Sequence, residues 1–217
     1  GNLDNDRNAM FLEAIDMVLA LWTQEAPYNL KGKYWNISTE RTLLGEIGQG
    51  KIGKPLQRPH PPIVVTAVAP FSKGVTAAAA RGWDPISANF LMPKWVATHR
   101  DSYATGCAEG GRAVDFGNWR VAKSIFVADD LNTAREYALG AGSPYVHYYK
   151  SLVTKLKKNG RSNLFKDDPA MSDDDVTLDY VLDRLVIWGT PDKVADELLA
   201  FRDQVGPFGT LLYAGPD

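Results

Sequence analysis

The stretch Pro61-Pro62-Ile63-Val64-Val65-Thr66-Ala67-Val68-Ala69-Pro70-Phe71-Ser72-Lys73-Gly74 decides the fold class. Ile63 to Val68 is an apolar, β-branched run of strand length. It ends in a turn of small residues, and an alanine-rich helix follows from Val75 to Arg81, before Gly82-Trp83. The order is strand, loop, helix, with the loop at the carboxyl end of the strand. In α/β sheets and barrels that is where ligands bind. Backbone N–H groups at a helix N-terminus, beside Ser72 and Lys73, suit a phosphate. The same residues also fit a loop that only joins two elements, with Lys73 pointing at water.

Toward the N-terminus, Phe11, Ala14, Ile15, Val18, Leu19 and Trp22 recur at three- and four-residue spacing. They predict a helix over 7–24, capped by Asn5 or Asp6. From Glu25 to Pro62 the periodicity fades, and prolines and glycines punctuate the chain. A segment of that length is functional or disordered more often than not, and a lid over a ligand site is the expectation. Within it, Lys33-Tyr34-Trp35-Asn36-Ile37 can pair as a short edge strand.

Toward the C-terminus, strands are predicted over 85–90, 118–128 and 209–213, and helices over 94–106 and from Leu131. Asp129-Asp130 caps the second of these helices. Residues 141–188 are helical in composition, with acidic surface turns at Asp167-Asp168 and Asp173-Asp174-Asp175. Gly189-Thr190-Pro191-Asp192 starts the last helix, with Thr190 as N-cap and Pro191 in its first turn, and Gly206-Pro207 stops it. Alternating strands and helices imply a parallel sheet of right-handed βαβ units. About four parallel strands are countable, half of a (β/α)8 TIM barrel. The expected organisation is one partial barrel domain over 1–217, with a long loop or insertion at 25–62 and a helical insertion at 141–188 before the last helix and strand.

Composition narrows the function classes. With 217 residues, 45% hydrophobic and 11% aromatic, the chain can bury a substantial core. A net charge of -2 and a longest basic block of Lys155-Leu156-Lys157-Lys158 leave no case for nucleic acid. Cys107 is the only cysteine, so an internal disulfide and cysteine-type zinc clusters are excluded; it reads as an inert packing residue. No signal peptide opens the chain, and no apolar run approaches the ~20 residues of a membrane span, so a soluble, cytoplasmic setting is expected. Residue 1 is Gly rather than Met, as expected for a processed or cloned piece of something longer. His60, His99 and His147 lack metal-ligand spacing, and His60 reads as a surface or hydrogen-bonded structural histidine. Trp35, Trp83, Trp95 and Trp119 read as core rather than as flavin-stacking residues.

Five landmarks in order carry a resemblance. They are Phe11-Leu12-Glu13-Ala14-Ile15 through Leu21-Trp22; Gly32-Lys33-Tyr34-Trp35; Lys54-Pro55-Leu56-Gln57-Arg58-Pro59-His60-Pro61-Pro62-Ile63; Trp119-Arg120 with Val127-Ala128; and Gly189-Thr190-Pro191-Asp192 with Gly206-Pro207-Phe208-Gly209. Together the chain resembles the bacterial luciferase-like, flavin-dependent monooxygenase family, in the branch of alkane and limonene monooxygenase-type members. The resemblance implies a TIM barrel that binds FMN at the carboxyl ends of its strands and uses O2 to oxidise a small hydrophobic organic substrate. It implies reduced FMN supplied by a flavin reductase, and a homodimer. By the same resemblance, Ser72, Lys73 and Gly74 hold the flavin phosphate and Ala69 and Phe71 line the ring side. Family members run well over 300 residues, so the first four barrel strands are expected to precede Gly1. No catalytic residue is assigned. Two alternatives remain: a non-catalytic half-barrel that dimerises or binds a partner through exposed strand edges, and an oxidoreductase using the deazaflavin F420 on the same barrel.

Overall fold

The computed structural model describes residues 4–215. The chain divides into two compact units, residues 1–62 and 63–217.

In the first unit, helix α1 (Arg7–Thr23) starts at Asp6, whose carboxylate accepts from the Asn8 and Ala9 N–H groups. Lys54 closes the other end: its Nζ donates to the carbonyls of Leu21 and Gln24, against the negative pole of the helix. Strands β1 (Asn29–Lys31) and β2 (Asn36–Ser38) form an antiparallel hairpin, so the Lys33–Ile37 patch pairs within its own hairpin.

The turn of that hairpin is Gly32-Lys33-Tyr34-Trp35, and its shape has one purpose. The N–H groups of Lys33, Tyr34 and Trp35 all donate to the Glu13 carboxylate of α1, at 2.9, 2.8 and 2.8 Å. A Cβ at position 32 would collide with that carboxylate, so only glycine lets the turn close over it. Partial desolvation pushes the Glu13 carboxyl up, but the three N–H donors outweigh it and hold the group below its usual range. A carboxyl depressed in the folded state contributes stability above its unfolded value of 4.5, which is lost as pH falls through the folded value. The protection factors of the Tyr34 and Trp35 amides, taken relative to the unstructured chain at the same pH, should therefore be high at pH 7 and should fall on acidification below about pH 4.5. Glu13→Gln should show the faster exchange at pH 7 already; unchanged protection in that variant would contradict the role.

The second unit is an α/β fold. Strand β3 (Val64–Ala67) is followed by α2 (Lys73–Ala80), β4 (Asp84–Ser87), α3 (Pro93–Glu109) and β5 (Arg120–Val127). Then come α4 (Leu131–Leu139), α5 (Pro144–Lys158), α6 (Leu178–Leu185), β6 (Val186–Gly189), α7 (Pro191–Val205) and β7 (Thr210–Tyr213). All five strands pair in parallel. The order is β3-β4-β5; the eight-residue β5 also pairs with β7 along its first half and with β6 along its second. The sheet thus has one strand more than the four expected, and β6 lies inside the segment read as helical up to 188. The reason is local: α6 runs straight into β6 with no glycine or proline between Leu185 and Val186 to mark the change.

The helices pack against the sheet in clusters of buried side chains. Ala67, Val75, Ala79, Tyr103 and Cys107 form a cluster between β3, α2 and α3, so Cys107 is indeed a buried packing residue. Trp119, Val121, Val186 and Phe201 belong to the main cluster beneath α3, α5, α6 and α7. Of the four tryptophans read as core, Trp83 and Trp119 are buried and Trp95 is partly so; Trp35 is 43% exposed. Helices α2 and α3 approach until backbone meets backbone: a Cβ on Gly106 or Gly110 would overlap the carbonyl of Thr76 or Ala80. Lys123 of β5 is buried in the same layer, its Nζ 4.9 Å from the ring centre of Phe201. Burial lowers its pKa from 10.5 to about 8.

At the amino end of β4, the Asp84 carboxylate accepts from the Tyr103 hydroxyl at 2.8 Å and faces Arg112 at 3.5 Å. In parallel barrels that end serves stability, and the carboxyl ends serve ligands. No helix among the described residues is long and apolar enough to cross a membrane.

Candidate functional site

The loop after β3 ends at Ser72, which is the N-cap of α2: its Oγ accepts from the Val75 N–H at 3.2 Å. The helix therefore begins two residues earlier than the alanine run suggests, and Lys73 and Gly74 form its first turn. The first N–H to reach back into the chain is Thr76, which donates to the Ser72 carbonyl at 3.2 Å. The Lys73 and Gly74 N–H groups precede it and have no acceptor within the helix. Both residues are exposed, and a Cβ at Gly74 would meet nothing nearer than Ser72 Oγ at 3.6 Å. Two N–H groups, a serine hydroxyl and a lysine thus share one open helix N-terminus. That donor set fits a phosphate.

Ala69 and Phe71 are held from the side by α3. The His99 ring reaches the Ala69 carbonyl at 2.8 Å, and the Phe71 N–H donates to Thr98 Oγ1 at 2.9 Å. Phe71 has φ of 50°, a left-handed conformation that is rare for an aromatic residue. Its side chain is 70% exposed and meets Trp95 edge to face, with ring centres 6.3 Å apart. Such backbone outliers persist where the surroundings fix them, and they concentrate at ligand sites.

His99 is fully buried, and its tautomer follows from its partners. A carbonyl only accepts, so Nε2 carries the proton toward Ala69. Nδ1 then accepts from Ser87 Oγ at 2.8 Å, and Ser87 Oγ accepts from Trp119 Nε1 at 2.9 Å. Burial lowers the His99 pKa, against the raising effect of the Ala69 carbonyl, which favours the neutral ring. The result is one chain of hydrogen bonds from Trp119, just before β5, through β4 and α3 to the loop after β3.

A small cleft of about 230 Å³ opens nearby in the topology, lined by Asn89, Ser124, Tyr148, Ala214 and Gly215. These residues follow or belong to β4, β5 and β7, with Tyr148 from α5. Asn89 Nδ2 donates to Ser124 Oγ at 3.0 Å, and the Tyr148 hydroxyl donates to Asn89 Oδ1 at 3.3 Å. Burial pushes the Tyr148 hydroxyl up, and that of Tyr149, beside Ser124, likewise. Both stay protonated at neutral pH. A further groove lies between α4 and α6, and none of the residues that line it belongs to the loop or the cleft.

The sequence profile of the luciferase-like monooxygenases matches residues 2–206. The chain belongs to this family. A relative, 3,6-diketocamphane 1,6-monooxygenase of Pseudomonas putida, is 25% identical over 215 residues, covering 97% of this chain and 56% of that protein. In structure, the oxygenating constituent of 3,6-diketocamphane monooxygenase from the CAM plasmid of Pseudomonas putida, a type II Baeyer-Villiger monooxygenase in complex with FMN, superposes with a TM-score of 0.79 at 23% identity. That match covers 98% of this chain and 58% of the other. An F420-dependent secondary alcohol dehydrogenase in complex with an F420–acetone adduct matches with a TM-score of 0.59 at 16% identity, over 97% of this chain and 57% of the other. The chain thus spans a little over half the length of these luciferase-like relatives, and the shared fold is that of the TIM-barrel members.

The five residues singled out in sequence do come together: Ser72, Lys73 and Gly74 at the start of α2, with Ala69 and Phe71 on the approach to it. His60 belongs to the first unit, where its Nδ1 lies 2.8 Å from the Pro61 carbonyl. Three side chains escaped sequence reasoning, namely Asn89, Ser124 and Tyr148, because they meet only after β4, β5 and α5 are assembled. His99 escaped it as well, although its i+4 spacing to Tyr103 on a helix already marked a buried face.

Proposed function

We propose that this chain is the flavin-phosphate-binding part of a flavin-dependent monooxygenase. The protein would use reduced FMN, supplied by a flavin reductase, and O2 to oxidise a small hydrophobic organic substrate. The observation that carries the reading is the open N-terminus of α2, where the Lys73 and Gly74 N–H groups have no acceptor within the helix and stand beside the Ser72 hydroxyl and the exposed Lys73 side chain. Membership of the luciferase-like family and the FMN complex of the diketocamphane relative support it. That relative is an oxygenating constituent, which supports a separate reductase as partner.

In this reading Ser72, Lys73 and Gly74 bind the phosphate, and Ala69 and Phe71 border the ring. The flavin, when bound, supplies the chemistry with oxygen. The chain's own task is to orient the ring and exclude water. The Asn89–Ser124–Tyr148 cleft offers neutral hydrogen-bond donors at the same ends of the strands, where a polar atom of the ring or of the substrate can be held without adding charge. A second reading, with F420 as cofactor, draws on the F420-dependent relatives of the same fold. Both cofactors carry a phosphate and a tricyclic ring.

FMN titration by fluorescence quenching tests the proposal, with light scattering on the same sample to read out the proposed homodimer. Saturable binding is expected, and Ser72→Ala/Lys73→Ala should weaken it at least tenfold, as the loss of charge-assisted hydrogen bonds implies. Affinity unchanged in the double variant would remove the phosphate from this loop. Tighter binding of F420 than of FMN would favour the second reading.

A further inference from the structure

Helix α3 touches the proposed phosphate loop at two points, and neither point is part of the phosphate donor set. The first is the bond from His99 Nε2 to the Ala69 carbonyl, 2.8 Å; the second is the bond from the Phe71 N–H to Thr98 Oγ1, 2.9 Å. Thr98 Oγ1 in turn donates to the Trp95 carbonyl at 2.6 Å, so its lone pairs face Phe71. His99 is backed by Ser87 and Trp119, a chain in which every polar hydrogen has one acceptor. The two anchored residues bracket Pro70, whose fixed φ passes any movement of one to the other. Phe71 sits at φ of 50° between these anchors and the N-cap Ser72. Without them an aromatic residue would relax toward negative φ, and the direction of the next N–H groups would change with it.

We propose that His99 and Thr98 are positioning residues that hold the loop after β3 in the conformation that recognises a phosphorylated cofactor. They act through Ala69 and Phe71 on the aim of the Lys73 and Gly74 N–H groups, and they touch no cofactor themselves. This rests on the reading of the loop as a phosphate site. Its consequence is selective: loss of either anchor weakens binding of the phosphate and leaves binding of the ring largely intact. A merely structural role would lower both together or lower only stability.

The experiment compares FMN with riboflavin, which has the same ring and no phosphate, in the parent and in His99→Leu, His99→Gln and Thr98→Val, with thermal midpoints on each. In the parent, FMN should bind at least tenfold tighter than riboflavin. His99→Leu and Thr98→Val should each cut that ratio several-fold through the FMN affinity. His99→Gln places an amide N–H where Nε2 stood, and should recover most of it. If His99→Leu does not fold, Thr98→Val decides alone, since it removes one hydroxyl from a partly buried residue and keeps its shape. A ratio unchanged in folded His99→Leu and Thr98→Val, while Ser72→Ala/Lys73→Ala lowers it, would overturn the positioning role and leave the loop as the phosphate site. A parent ratio near one would overturn the loop reading and the inference with it.

Discussion

Gly106→Val is expected to cost about 3 kcal/mol of folding stability or to abolish folding, at the upper end of what overpacking a core usually does. The position is buried on α3, and an added Cβ would overlap the Thr76 carbonyl and stand 2.6 Å from the Ala79 Cβ. A side-chain obstacle can rotate away, but a carbonyl in the middle of α2 moves only with its helix. Gly110, one turn on, meets the Ala80 carbonyl in the same way. The bond from Thr76 Oγ1 to the Ser102 carbonyl, 3.1 Å, belongs to the same close seam. Gly106→Ala is the sharper test. At a solvated helix position that change would stabilise by up to ~1 kcal/mol. Here it should destabilise, with a lower urea midpoint. A raised midpoint would mean that α2 and α3 are not in backbone contact.

Lys123→Met is expected to do the opposite and to raise stability by about 3 kcal/mol at pH 7. Lys123 lies in the sheet–helix layer against Phe201, where burial lowers its pKa from 10.5 to about 8. The difference corresponds to about 3 kcal/mol against the charged form. Methionine fills a similar volume and carries no charge to desolvate. The pH dependence fixes the sign. Below pH 8 the amine is charged in both states, and the folded state bears the full cost of burying it. Between pH 8 and 10.5 the folded amine becomes neutral first, so the cost fades. The stability gap between variant and parent should therefore be near 3 kcal/mol at pH 7 and should shrink toward zero as pH approaches 10.5. A gap that stays constant with pH would assign the effect to packing alone.

These two sites show what the sequence conveyed and what it withheld. The alanine run after Ser72 announced a helix, and the apolar run before it a strand, because both signals are local. That Ala77–Ala80 are small so that Gly106 and Gly110 can approach is a statement about two helices, and neither segment expresses it alone. The Gly32-Lys33-Tyr34-Trp35 motif was legible as a pattern, but its cause, the carboxylate of Glu13, lies 20 to 22 residues away from the amides it binds. Strand β6 was hidden because Leu182, Leu185, Val186 and Ile187 are all apolar and all buried, and a period of 3.6 passes into one of 2 without a breaker. The phosphate loop was legible because its donors are consecutive residues. The cleft formed by Asn89, Ser124 and Tyr148 was not, since its members carry no spacing. His99 looked like an isolated histidine because Ser87, Trp119 and Ala69 reach it from three different segments.

A crystal structure of the protein grown with FMN would test the central claim most directly. The expected result is the flavin phosphate within hydrogen-bond distance of the Lys73 and Gly74 N–H groups and Ser72 Oγ, with Phe71 still in its left-handed conformation and the ring directed toward Asn89 and Ser124. A phosphate seated elsewhere, with the start of α2 open to solvent, would contradict it.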